Sequence, residues 1–158
     1  MMGLRRAMAD ERQLLEDFQH AAYTRTEVAV GARAIPLEWD YGAILDECEV
    51  WFDEDAKVLI GVLILRIMPD RLFLESIATA PQAGGSGRGR LLLEATFERA
   101  RELGLNRVGL ITNSLNPALA WYKRVGFTID HEEQKAGRVV VHMSARVPET
   151  GHDPERED

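Results

Sequence analysis

Leu14, Leu15, Phe18, Ala21 and Ala22 recur at the three- and four-residue spacing that lines one face of a helix. The pattern predicts a helix over 11–30, with Asp10 as its N-cap and Gln13 three residues later. A second, shorter helix is expected over 36–47, where Pro36 suits a first turn. The period then changes. Residues 49–53 and 57–68 are apolar and β-branched, with acidic turn residues at 53–55 between them, and read as a hairpin; 71–80 reads as a third strand after Pro69-Asp70. Past a glycine-rich stretch at 84–89, Leu92, Leu93, Thr96, Ala100 and Leu103 share a helical face, and Gly104 stands where a glycine ends a helix. A strand over 107–112, a helix over 117–125 opened by Pro117 and followed by Gly126, and a strand over 139–147 complete the series.

The order α, α, β, β, β, glycine loop, α, β, α, β predicts an α/β domain with a mixed sheet and an antiparallel first half. A length of 158 residues fits one domain, expected over 1–147. Residues 148–158 carry Pro, Gly and five acids against one arginine, and read as a disordered tail. A chain of this size buries about two-thirds of its unfolded surface and needs no staple. Cys48 is the single cysteine, which excludes an internal disulfide framework and any multi-cysteine zinc site.

Charge narrows the function. The formal net charge of −7 argues against a nucleic-acid binder that works by broad phosphate neutralisation. No apolar run approaches the roughly 18 residues of a membrane span, and no apolar stretch follows Arg5 and Arg6 to make a secretory signal. A cytoplasmic, membrane-free protein is the expectation.

The segment 80–93 carries most of the chemistry. A strand, a glycine loop and a helix in succession let backbone N–H groups converge on an anion at a helix N-terminus. Arg88 and Arg90 add side-chain charge there. A Walker loop needs Gly-Lys-Ser/Thr, which is absent. A dinucleotide fingerprint counted from Gly85 and Gly87 needs glycine where Arg90 stands, and an acid where the next strand instead begins at Asn106-Arg107.

Pro81, three residues, then Gly85-x-Gly87-x-Gly89-x-x-Leu92-Leu93 resembles the pyrophosphate loop of the GNAT superfamily of N-acetyltransferases. Asn116-Pro-Ala-Leu-Ala-Trp-Tyr122-Lys-Arg-Val-Gly126-Phe127 resembles that family's later motif, one helix and one strand further on. Two departures stand out: Gly84 occupies the usual Gln/Arg position, and Arg88 an apolar one. The interval from Asn116 to Tyr122 is also about one residue shorter than the family pattern.

The resemblance implies the GNAT acyl-CoA N-acyltransferase fold, a mostly antiparallel central sheet flanked by helices. It implies acetyl-CoA as cosubstrate, lying along Ile77, Ala78 and Thr79, with its pyrophosphate on Gly84, Gly85, Ser86, Gly87, Arg88, Gly89 and Arg90. Asn116 joins this cofactor set, and a backbone N–H near Ile77 or Ala78 polarises the thioester carbonyl. The reaction implied is direct acetyl transfer to a primary amine of a small molecule or peptide, with no metal and no covalent enzyme intermediate. Homodimers are common in the family. The alternative is a non-catalytic acyl-CoA-binding or protein-interaction module on the same fold, motivated by Gly84 and Arg88.

Two residues are candidates for proton transfer. Glu75 lies two residues before Ile77 on an otherwise apolar strand, and serves as base through a water; the competing reading is a solvated carboxylate or a salt bridge to Arg66 or Arg71. The Tyr122 phenol, ordinarily titrating near about 10, holds a proton for a thiolate whose conjugate acid titrates near about 8.5. Its competing reading is core packing beside Trp121 and Phe127. Ser86 lacks the Gly-x-Ser-x-Gly elbow and reads as a phosphate hydrogen-bonder. His20, His131, His142 and His152 lack metal-ligand spacing along the chain. Trp39 and Tyr41 with Glu38, Asp40, Asp46 and Glu47 suit a cationic amine, and equally a solvated helix.

Overall fold

The computed structural model describes residues 3–30, 35–81 and 87–149, apart from the side chains of residues 29 and 30. Gly84, Gly85 and Ser86 and the tail beyond 149 lie outside the described residues. The elements are β1 (Arg5–Arg6), α1 (Arg12–Val30), α2 (Tyr41–Glu47), β2 (Glu49–Asp55), β3 (Val58–Ile67), β4 (Leu72–Thr79), α3 (Arg88–Glu102), β5 (Arg107–Asn113), α4 (Ala118–Arg124), β6 (Thr128–Lys135) and β7 (Arg138–Arg146). All seven strands form one sheet in the order β1-β2-β3-β4-β5-β7-β6. Every neighbouring pair is antiparallel except β4 and β5, which run parallel with α3 as their crossover. The expected mixed sheet with an antiparallel first half is therefore present.

β3 is the central strand of the larger half and shows how the core divides. Val62 and Ile64 pack with Leu15, Tyr41, Ile44, Val50 and Phe52 under α1 and α2. Leu63 and Leu65 point the other way, into a core with Leu92, Leu93, Phe97, Val108, Phe127 and Met143 under α3. Burial on both faces explains why this strand reads as a continuous apolar run rather than an alternating one.

Several local expectations need correction. Asp10 does not cap α1; residues 9–11 form a 3-10 turn, and the Glu11 carboxylate accepts the Met8 N–H at 2.9 Å. The predicted 36–47 helix is split into a 3-10 turn at Ile35–Glu38 and α2, because Asp40 caps α2 by accepting from the N–H groups of Gly42 and Ala43. The first hairpin turns at Ala56 and Lys57, both at positive φ (50° and 69°), two residues beyond the expected turn. Two strands were missed altogether, the two-residue β1 and the longer β6. All eight residues of β6 are exposed, so Thr-Ile-Asp-His-Glu-Glu-Gln-Lys carries no apolar alternation to reveal an edge strand. Its link to β7, Ala136-Gly137, is also a positive-φ turn (50° and 79°).

Candidate active site

The parallel pairing of β4 and β5 is confined to Leu72 with Val108 and Phe73 with Gly109. Beyond those residues the strands part, and a cavity of about 420 Å³ opens between them. Its walls include Glu75 and Ile77 from β4, Ile111 from β5, Tyr122 from α4, Tyr23 from α1, and Glu133 and His142 from the last two strands. A smaller cavity of about 290 Å³ continues past the end of β4, lined by Tyr23, Arg25, Ile77, Ala78, Thr79 and Asn116.

A bulge sets this geometry. Against β3, Leu65 pairs with Leu74 and Ile64 with Ser76, so Glu75 is the extra residue on β4. A bulge bends its strand and re-aims its side chain. Glu75 reaches the cavity, where Arg66 Nε donates to its Oε1 at 3.0 Å. Arg66 also lies 3.4 Å from Glu47. Of the two readings of Glu75, the salt bridge to Arg66 is present, on a carboxylate that also lines the cavity.

Beyond the bulge, no strand among the described residues pairs with the edge of β4 that faces β5. The Ala80 N–H bonds to the Ile60 carbonyl at 2.9 Å, and the register places Val62 opposite Ala78 and Leu63 opposite Ile77. Backbone bonds alternate in direction along an antiparallel strand, so Ala78 turns its N–H toward β3 while Ile77 and Thr79 turn theirs toward the gap. The Thr79 carbonyl accepts from Arg25 at 2.8 Å. Of the two expected amide donors, Ile77 is the one so directed.

The N-terminus of α3 is built on Gly87, whose φ of +79° a β-carbon would strain. The Leu91 N–H donates to the Gly87 carbonyl, and the amides of Arg88, Gly89 and Arg90 precede the point where intrahelical bonding starts. Arg90 is exposed. Arg88 instead leans to within 3.8 Å of Asp53, a buried β2 carboxylate whose Oδ2 has no hydrogen-bond partner among the described residues. Burial raises the Asp53 carboxyl, with Arg88 opposing.

Tyr122 packs 5.2 Å from Trp121 and 5.5 Å from Phe127, measured between ring centroids. Its ring sits beside core aromatics, as the packing reading expects, and the residue also lines the larger cavity. Burial raises its phenol above the ordinary range. The Asn116 Oδ1 accepts the Ala118 N–H at 2.9 Å and so pins the start of α4.

The acceptor-side expectation is corrected in part. Trp39 lines the cavity, but Tyr41 is fully buried under α1 and gives its hydroxyl to the Pro36 carbonyl at 2.8 Å. Asp40 serves as a helix cap and Glu47 faces Arg66. Neither they nor Asp46 are among the cavity's walls. Sequence reasoning missed Tyr23, whose hydroxyl pairs with Ser76 at 2.7 Å, and the pair Glu133 and His142, 3.1 Å apart. Tyr23 sits within a recognised helix but carries no motif, and Glu133 lies on the unrecognised strand. Cys48 is buried, which pushes its thiol up to about 11 and leaves it inert.

The acetyltransferase (GNAT) family model matches residues 10–127. The chain belongs to this family. Among curated relatives, mycothiol acetyltransferase from Pseudarthrobacter chlorophenolicus is 43% identical over 53 residues, 33% of this chain and 16% of that protein. Streptothricin acetyltransferase from Streptomyces lavendulae is 41% identical over 58 residues, 36% of this chain and 31% of that protein. The chain thus spans less than a third of the length of either relative. The GNAT fold is supported over nearly the whole chain: a PaiA N-acetyltransferase from Thermoplasma acidophilum, solved in complex with coenzyme A, superposes with a TM-score of 0.77 at 14% identity, covering 90% of this chain and 97% of that one. No helix among the described residues is long and apolar enough to cross a membrane.

Proposed function

We propose that this chain transfers the acetyl group of acetyl-CoA to a primary amine of a small molecule or peptide, directly and without a metal. The observation that carries the reading is the parting of β4 from β5, which turns the Ile77 N–H toward a gap beside a cavity that also holds Tyr122 and Glu75. The donor set fits the cosubstrate. The β4 edge at Ile77 and Thr79, whose N–H groups face the gap while Arg25 holds the Thr79 carbonyl, suits an extended amide-bearing chain with Ala78 between them, and Asn116 borders the same passage. The amides of Arg88, Gly89 and Arg90 at the start of α3 suit a pyrophosphate, as would Gly84, Gly85 and Ser86 before Gly87.

Acetyl-CoA, when bound, supplies an activated acetyl group as a thioester. The chain's own residues then have three tasks. The Ile77 N–H stabilises negative charge developing on a carbonyl oxygen at the strand edge. Glu75 accepts the proton of the amine through a water, held in place by Arg66. Tyr122 keeps its proton at neutral pH, because burial opposes its ionisation, and delivers it to the departing thiolate. Free thiol release from acetyl-CoA, measured across a panel of primary amines with the acetylated product weighed by mass spectrometry, tests the reading. Amine-dependent release with an acetyl mass gain is expected; no transfer to any amine would contradict it.

A further inference from the structure

Histidine spacing along the chain gives no metal motif, yet the last hairpin assembles one across its strands. β6 and β7 pair with a bulge between Ile129 and His131, which makes Asp130 the extra residue and sets His131 directly opposite His142. The bulge is held by a hydrogen bond from Ser144 Oγ to Asp130 Oδ1 at 3.0 Å. Side chains two apart on a strand share a face, so Glu133 joins His131 on the side that carries His142. The two imidazole rings stack with centroids 4.1 Å apart and planes 16° from parallel. His142 Nε2 lies 3.1 Å from Glu133 Oε2, and one ligand atom from each of the three residues falls within 4.8 Å of the others.

From this juxtaposition we propose that His131, Glu133 and His142 bind a divalent transition metal of the zinc class at the mouth of the cleft. Two imidazole nitrogens and one carboxylate oxygen suit zinc, copper or nickel, whereas magnesium and calcium want oxygen donors throughout. Three protein ligands leave a position for water. Bonds of roughly 2.0–2.1 Å in a tetrahedral arrangement need donor atoms about 3.3 Å apart with each imidazole lone pair, which lies in its ring plane, aimed at the ion, so the group has to contract and at least one ring has to turn out of the 16° stack. Side-chain rotation supplies that contraction, since His131 and Glu133 are exposed on an edge strand. As an ion pair alone, Glu133 and His142 in contact with water contribute little to stability. The proposal does not depend on the acetyl-transfer reading.

The test uses the full chain without an affinity tag, stripped with a chelator and titrated calorimetrically with zinc chloride near neutral pH. One zinc per chain is expected, with His131→Ala and His142→Ala each weakening binding by roughly tenfold or more. His152→Ala should leave it unchanged, and magnesium chloride should give no saturable heat. Thermal melts of each variant verify folding, and exposed His131 provides the substitution least able to disturb it. No saturable zinc binding, or equal binding by the wild type and both histidine variants, would overturn the proposal.

Discussion

Arg66 Nε donates to Glu75 Oε1 at 3.0 Å, so the carboxylate at the β4 bulge meets the cleft already paired. The pair is half-sheltered, with the Glu75 side chain 17% exposed and that of Arg66 34% exposed. A carboxylate held by an arginine is well fixed and reaches a substrate proton best through water. Glu75→Gln should lower kcat by about 10²-fold or more while leaving affinity for acetyl-CoA near its original value. Steady-state kinetics beside a binding titration separates the two. An unchanged kcat would reduce Glu75 to a structural partner of Arg66.

Tyr122 gives a pH prediction with a definite sign. Burial raises its phenol, so the protonated form persists beyond the ordinary tyrosine range of about 10. The pH–rate profile should therefore show no loss from tyrosine ionisation below that value. Tyr122→Phe should cut kcat by about 10²-fold with little effect on the melting temperature. Full turnover by the phenylalanine variant would assign the ring to packing alone.

Glu49 and Arg99 form the best-made ion pair of the α3 face, with Arg99 contacting both carboxylate oxygens at 2.9 and 2.7 Å. Burial pushes the Glu49 carboxyl up, but Arg99 and the Trp51 indole outweigh it and leave it lowered. A lowered acid contributes stability above the ordinary carboxylate range and loses it as pH falls. Arg99→Met should cost about 1–3 kcal/mol near neutral pH, since Glu49 loses two charge-assisted hydrogen bonds but keeps the Trp51 indole at 3.1 Å and Arg6 at 3.9 Å, and less in acid, where Glu49 is protonated. Denaturant melts at several pH values check the sign.

Asp53 works in the opposite direction. Burial raises its carboxyl, and its Oδ2 has no hydrogen-bond partner among the described residues, so the folded state loses stability as pH rises from the unfolded value through the raised one. Asp53→Asn should melt higher than the wild type near neutral pH and draw level in strong acid. Gly61 belongs to the same contact, because a β-carbon there would sit 3.2 Å from Asp53 Cβ. A lower neutral melting point for Asp53→Asn would mean that the 3.8 Å approach of Arg88 outweighs burial.

Legibility in the sequence followed burial. β3 and α3 declare themselves because Val62 to Leu65, and Leu92, Leu93, Thr96 and Ala100, must face cores. β6 could not, since an exposed edge strand obeys no apolar period. The glycine loop and Tyr122 stand out as candidates through local motifs, whereas the bulge at Glu75 and the meeting of His131 with His142 depend on strand register. Tyr41 misled for a related reason: an aromatic among acids looks solvent-facing until α1 covers it.

The most direct measurement is calorimetric titration of the full chain with acetyl-CoA, with ATP as the control for phosphate binding alone. The account predicts saturable binding of acetyl-CoA and none of ATP, despite Gly84 and the engagement of Arg88 with Asp53. No binding at about millimolar acetyl-CoA, a level at which even a weak specific ligand registers, would contradict the account.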